Sequence, residues 1–236
     1  MWYTLVTYKS LREAIMSNTV KLKQPIKNFM IIGDSYSTFK GYNPEGYAAY
    51  YPNHEGCLVK DHRDTWWYRF TQKTSANLVL NDSWSGATVC YTGRISPEYG
   101  YRSSFVNRFH LMRDNGFFKK EKIDTVFLFG ATNDSWLSTT PKGEEMLSGW
   151  REEDLYYALP AISYLIFNLK KELPDANIIY VINTGLSENI VNAIKNASNE
   201  FGISYIELEN IDKVAKHPTP LGMEQICDQI YNAITE

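Results

Sequence analysis

The 236-residue sequence predicts an α/β fold, a three-layer α/β/α sandwich around a central five-stranded parallel sheet. Three observations predict it. Short apolar runs stand at 28–32, 77–82, 125–130, 177–183 and 203–208. Runs of this kind read as strands buried on both faces, because half-solvated strands alternate instead. Segments with apolar residues at helical spacing lie between them, which is the alternation of a parallel sheet covered by helices. Hydrophobic residues make up 44% of the chain and charged residues 22%, so one sizeable core can form.

The elements follow in order. NFMII at 28–32 is a strand that runs into Gly33-Asp34-Ser35. The stretch 33–61 is long, aperiodic and rich in Gly, Pro, Asn and Tyr, as functional loops are. DTWWYRFTQKT at 64–74 reads as a helix with Asp64 as its N-cap. In such a helix Trp66 and Trp67 point about 100° apart, which places at least one of them in the core. NLVLND at 77–82 is the second strand. Residues 103–116 read as one helix stopped by Asn115-Gly116, and TVFLFG at 125–130 is the third strand. A second long loop, 131–150, precedes a helical pattern over 152–174, with Pro160 either kinking it or standing near its start. NIIYVIN at 177–183 is the fourth strand. A helix over 187–202 with Ser187 as N-cap and Gly202 past its end leads to the fifth strand at 203–208. Pro220 opens the last helix, over 219–234.

Residues 1–24 stand apart as an N-terminal extension with a short helical pattern at 9–17; residues 25–236 form the domain. The first residues lack the basic region and unbroken apolar stretch of a secretory signal, so the chain as given reads as cytoplasmic, or as a mature or trimmed form. A net charge of -3 gives no reason to expect nucleic acid as partner, and no run of eighteen apolar residues spans a bilayer. Cys57, Cys90 and Cys227 match no zinc or redox spacing and read as buried thiols, with one bridged pair left open. His54, His62 and His110 have no partners at metal-ligand spacing, and no phosphate-binding loop is present, so neither metal nor cofactor is expected. Aromatics reach 14%, with 17 Tyr and 6 Trp; they fit a Tyr-rich core and surface, or a face on which sugar rings stack.

The chemistry-bearing residues sit where strands end. Ser35 follows the first strand; a serine hydroxyl needs a base within reach and donors for the oxygen that turns negative. Gly86 follows the second strand, where a missing Cβ lets a backbone N–H approach a bound oxygen. Asn133 follows the third strand and offers a side-chain NH₂. His217 lies between the last strand and the last helix. Each has a plain structural reading as a turn or loop residue; four at equivalent strand ends form a set.

In that order GDSYS at 33–37, NDSWSGATV at 81–89, GATND at 130–134 and HPTPLGM at 217–223 resemble the SGNH, or GDSL-like, hydrolase superfamily, over residues 28–235. The resemblance implies the flavodoxin-like fold of that superfamily. It implies Ser35 as nucleophile, His217 as base, and an oxyanion hole made by the Ser35 and Gly86 amides with the Asn133 side chain. The superfamily usually places an orienting Asp three residues before the histidine. Here Val214 occupies that place and Asp212, five residues before His217, is the nearest carboxylate. Either Asp212 completes a triad through a longer loop, or a backbone carbonyl holds the ring and the pair is a dyad.

The segments 36–52 and 64–70 resemble a branch of carbohydrate esterases common in gut bacteria. Tyr36, Trp84 and Trp136, beside the set, are candidate walls of a substrate pocket, with packing as the other reading. The function implied is hydrolysis of a small ester, with acetyl on a carbohydrate preferred. A lipid esterase or thioesterase, an acyltransferase and a non-catalytic carbohydrate binder are the alternatives on the same fold. The partner is a small-molecule or glycan ester.

Overall fold

The computed structural model describes residues 20–235, so the helical pattern at 9–17 lies outside the described residues. Strands β1 (Asn28–Gly33), β2 (Asn77–Ser83), β3 (Thr125–Phe129), β4 (Asn177–Ile182) and β5 (Ser204–Glu207) form one parallel sheet in the order β2-β1-β3-β4-β5. The chain moves to one side of β1 for β2 and to the other side for β3. The crevice above the carboxyl ends of β1 and β3 is therefore the topological switch point, the place where open parallel sheets carry their sites. Gly33 pairs with Ser83 on one side and Phe129 on the other, so three loops leave the sheet from adjacent points.

Alternation along the strands feeds two cores. Met30, Ile32, Val126 and Leu128 pack on one side, against α3 (Phe105–Asp114), α6 (Ala158–Glu172) and α7 (Glu188–Phe201). Phe29, Ile31, Phe127 and Phe129 pack on the other, against α1 (Trp66–Thr74) and α8 (Pro220–Thr235). Both faces are covered, which is why the strands carry no polar alternation. Cys57, Cys90 and Cys227 are free and buried. Among the described residues no helix is long and apolar enough to cross a membrane.

Several element ends differ from the sequence reading, each for a local reason. Asp64 belongs to a one-turn 3₁₀ helix, His62–Asp64, and Thr65 caps α1 by accepting from the Tyr68 amide. The helix expected over 103–116 is broken. Ser104 leaves helical geometry between α2 (Pro97–Ser103) and α3, where its hydroxyl accepts from the Asn107 amide. Pro160 sits in the first turn of α6, where its missing N–H costs nothing. The long loop after β3 holds a short helix, α5 (Thr132–Trp136), and α4 is the single turn Phe117–Lys120. Trp66 and Trp67 are both buried, because the loop after β1 folds over them. Both indoles donate to Ser37, one to its hydroxyl at 3.0 Å and one to its carbonyl at 2.9 Å.

Candidate active site

The turn after β1 is fixed from several directions. Asp34 caps a 3₁₀ turn over Ser35–Ser37, its carboxylate accepting from the Tyr36 amide at 3.1 Å. Its own amide donates to Phe129 of β3 at 3.2 Å. Full burial of the Asp34 carboxyl pushes its pKa up to about 6. Thr38 donates its hydroxyl to the Ser35 carbonyl at 2.9 Å, and the Asn81 amide donates to the Ser37 carbonyl at 2.8 Å. Gly33 must lack a side chain: a Cβ there would stand 2.5 Å from the Ser83 hydroxyl of β2.

Beneath the turn lies a group that sequence reasoning missed. Arg108 of α3 is buried, its guanidinium pairing with the buried Asp82 carboxylate. The same guanidinium donates to the Asp82 carbonyl, to the Gly33 carbonyl at 3.1 Å and to the Ser103 carbonyl at 2.9 Å. It thereby ties together the last carbonyls of β1 and β2, and its stacking 4.7 Å from the Phe105 ring fills its remaining face. The signal was an arginine inside an otherwise apolar helical face, FVNRFHLM. Buried charges must be paired, so such an arginine implies a partner.

His217 arrives on a small antiparallel hairpin, β6 (Lys213–Val214) and β7 (His217–Pro218). The turn residues Ala215 and Lys216 both have left-handed φ, 49° and 67°. Two-residue hairpins favour that geometry, which Asn-Gly adopts with less strain than Ala-Lys. The hairpin directs Nε2 of His217 to the Ser35 hydroxyl at 2.9 Å, while Nδ1 faces the Ala215 carbonyl at 3.2 Å. With Nδ1–H donating to that carbonyl, Nε2 is the unprotonated nitrogen and accepts from Ser35. Burial lowers the imidazole pKa to about 4, against a smaller upward pull from the Ala215 carbonyl. The ring is therefore neutral at pH 7, the state that can take a proton.

The expected Asp212–His217 contact is not formed. The Asp212 carboxylate accepts from the Thr219 hydroxyl, and its amide donates to Gln225 Oε1 at 2.7 Å. Asp212 braces the hairpin against the start of α8, where Gly222 lies so close to its carbonyl that a Cβ would not fit. Aromatic rings support the imidazole instead. Tyr50 stacks on His217 at 3.6 Å between ring centres and 6° between planes, and stacks on His54 at 4.2 Å. The Tyr51 hydroxyl donates to the Pro218 carbonyl at 3.1 Å. Sequence reasoning gave none of these a role at His217; the AYYP run inside a long loop was the available signal.

Above Ser35 and His217 opens a cleft of about 390 Å³. Gly86 and Asn133 line it. Gly86 has φ of +81°, a conformation that favours glycine, and its amide has no hydrogen-bond acceptor among the described residues. The same holds for the Ser35 amide. Asn133 donates one amide hydrogen to the Ala87 carbonyl at 2.9 Å, which fixes the side chain and leaves its second hydrogen for the cleft. Buried Asp134 accepts from the Val89 and Cys90 amides, at 2.8 and 3.3 Å, and so binds the Gly86 loop to α5.

The three candidate pocket walls separate. Trp136 lines the cleft, its indole donating to the Gly185 carbonyl at 3.3 Å. Tyr36 does not line it. It is buried below the histidine hairpin, where its hydroxyl donates to the Lys216 carbonyl. Trp84 is also buried, stacked 4.2 Å from Tyr47 and donating to the Tyr99 hydroxyl at 2.7 Å. Both are packing residues because the loop after β1 folds inward over them. Among the described residues no group of three or more His, Cys, Asp or Glu stands together to hold a metal ion.

A parallel five-stranded α/β/α sandwich with a serine–histidine contact at its switch point defines the class of SGNH-like hydrolase folds. The family model described as GDSL-like Lipase/Acylhydrolase matches residues 27–234, and the chain belongs to that family. It is similar to a GDSL-like lipase structure from Bacteroides ovatus, at 36% identity and a TM-score of 0.78, covering 89% of this chain and 98% of the other. A GDSL-like lipase structure from Bacteroides uniformis matches at 35% identity and 0.79, covering 90% and 97%. An acetyl xylan esterase from the rumen bacterium Butyrivibrio proteoclasticus shares the fold at 17% identity and 0.54, covering 89% of this chain and 63% of that one. A search of curated proteins found no match.

Proposed function

We propose that the protein hydrolyses carboxylic esters through an acyl-serine intermediate, removing a short acyl group, chiefly acetyl, from a carbohydrate or similar small ester. The observation that carries this reading is the 2.9 Å contact between His217 Nε2 and the Ser35 hydroxyl at the floor of the cleft. His217 takes the Ser35 proton as Oγ attacks the ester carbonyl. The oxyanion forms between the Ser35 and Gly86 amides and the free Asn133 hydrogen, worth about 2.7–4 kcal/mol of barrier per donor. Collapse expels the alcohol, which takes its proton from His217. Water, deprotonated by the same ring, then attacks the acyl-serine and releases the acid. The site works as a dyad in which the Ala215 carbonyl orients the imidazole and stabilises its charged form.

The cleft supports a small acyl group. Among the described residues Leu137 is its only large aliphatic lining residue, beside Tyr50 and Trp136, and a long acyl chain would need an aliphatic groove. The sugar reading is supported by Trp136 at the rim and by the acetyl xylan esterase among structures of this fold. Turnover of p-nitrophenyl acetate is the test. Ser35→Ala and His217→Ala should each lose at least about 10³-fold in kcat. Undiminished turnover in either variant overturns the assignment. A p-nitrophenyl ester series that peaks at octanoyl or beyond overturns the acetyl preference. The carbonyl in place of a carboxylate at His217 favours a second reading, a non-catalytic binder. Stoichiometric labelling of Ser35 by a fluorophosphonate probe rejects that reading.

A further inference from the structure

We propose that the cleft selects esters whose sugar part is anionic, as in acylated uronic acids or sulfated sugars, and that Arg94 and Lys216 bind the negative group. The proposal rests on the hydrolase reading and names the substrate class of the same site. The chain as a whole is acidic, with 27 carboxylate side chains against 24 Lys and Arg. The lining of the cleft is the reverse: among the described residues it contains Arg94 and Lys216 and no Asp or Glu. Among the described residues neither cation forms an ion pair. A recess lined by one sign of charge concentrates ligands of the other sign. The Asp34 and Asp134 carboxylates, beside the lining residues Ser35 and Asn133, are buried and accept from backbone amides.

The two cations stand on opposite walls. Arg94 reaches over the Gly86 side, its Cδ 4.0 Å from where a Gly86 Cβ would be. The loop that presents it is bent tightly at the next residue. Ile95 is 84% exposed with φ of +75°, and the Ser96 amide donates back to the Arg94 carbonyl at 3.0 Å. Those are the marks of the rare, strained γ-turn, in a β-branched residue that resists it. Ile95 is too exposed for buried apolar contact to offset the strain, and the turn stands directly beside Arg94 in the lining of the cleft. Lys216 stands on the histidine side, next to His217, with Nζ 5.2 Å above the Trp136 ring. In acyl transfer the alcohol departs on the side of the base. A sugar ring leaving past Trp136 therefore carries a charged substituent within reach of Lys216 on one wall or Arg94 on the other.

Initial rates on three acetylated methyl galactosides test the proposal: the neutral sugar, its galacturonate and its 6-sulfate. At low ionic strength kcat/KM should favour at least one acidic substrate by tenfold or more, and the two acidic arms tell carboxylate from sulfate. The advantage should shrink in high salt, where surface charges are screened. Arg94→Gln and Lys216→Gln should each cut the acidic-to-neutral ratio at least threefold, and the double charge reversal R94E/K216E should invert it. Ile95→Gly keeps the charge but frees the turn, so it should raise KM for the acidic substrate more than it changes kcat. Equal rates on acidic and neutral sugars, or a ratio that R94E/K216E leaves unmoved, overturns the proposal. Failure of the wild type to hydrolyse p-nitrophenyl acetate is failure of the hydrolase reading instead. Calorimetry of S35A protein with galacturonate and galactose then decides: tighter galacturonate binding that R94E/K216E abolishes sustains anion selection, and equal binding overturns it.

Discussion

The two halves of the serine–histidine pair are built in different ways. Ser35 stands on a turn that the sheet itself holds. Its neighbours are buried, its backbone is bonded to β3 and α1 packs directly behind it. Arg108 and Asp82 clamp the strand ends below. His217 stands on an exposed hairpin whose two strands have two residues each and whose turn uses two strained non-glycine residues. Rings from the loop after β1 hold it: Tyr50 by stacking, Tyr51 and Tyr36 by hydroxyl bonds to its backbone. The serine side is thus rigid by burial. The histidine side is positioned by a surface that folds over it, and its geometry is the easier to disturb.

Breaking the rigid side should have the largest effect on stability. Arg108→Met strands a buried carboxylate, which typically costs about 3–5 kcal/mol, read as a lower denaturation midpoint. The double replacement R108M/D82L should recover part of that loss, because it removes both charges. Such recovery marks a clamp whose cost is burial, not a site of chemistry.

Tyr50→Ala attacks the other side. It leaves the sheet intact and frees the imidazole, so kcat/KM should fall about 10²-fold, as for a catalytic group displaced by about 1 Å. The same variant shifts the pH profile. In the intact protein burial holds His217 near pH 4, so activity should persist as pH falls and reach half its plateau only near there. Opening the ring to water moves this limb up toward the ordinary histidine value of about 6.5. Stability reads the same groups less cleanly. A lowered histidine pKa loses stability as pH falls from about 6.5 to about 4. Asp34, raised to about 6, regains stability over much of that range as it protonates.

Smaller effects sharpen the contrast. Ala215→Gly relieves a left-handed residue and should raise the denaturation free energy by about 1 kcal/mol, while loosening the loop that carries His217. Asp212→Ala should change kcat less than about threefold, whereas loss of a true orienting carboxylate costs about 10⁴. A fall of that size would show that Asp212 reaches His217 during turnover, against the hydrogen bond it makes to Thr219.

Much of the frame was legible in the sequence. The central strands β3 and β4 are fully buried apolar runs and β1 is nearly so, while the edge strands β2 and β5 are half-buried, yet each of the five registers in the sequence as a short apolar run. Gly33-Asp34-Ser35, Gly86, Asn133 and His217 were marked because each follows a strand or precedes a helix, and strand ends of a parallel sheet must share one edge. The element ends were less legible. Ser104 and Thr65 decide where α3 and α1 begin through single side-chain bonds that compete with other local choices.

Local order along the chain therefore determined the strands, the helices between them and which loops carry chemistry, because hydrophobic period and turn residues act over a few positions. What surrounds His217 was decided only by tertiary structure. Tyr50 lies 167 positions away in sequence, yet its ring lies flat on the imidazole, while the carboxylate five positions away turns to Thr219. Likewise Trp84, two residues from Gly86, is core, and Arg94, eight residues from it, hangs over the cleft. Proximity along the chain sets which groups are available. Only the packing of loops on the sheet sets which of them meet.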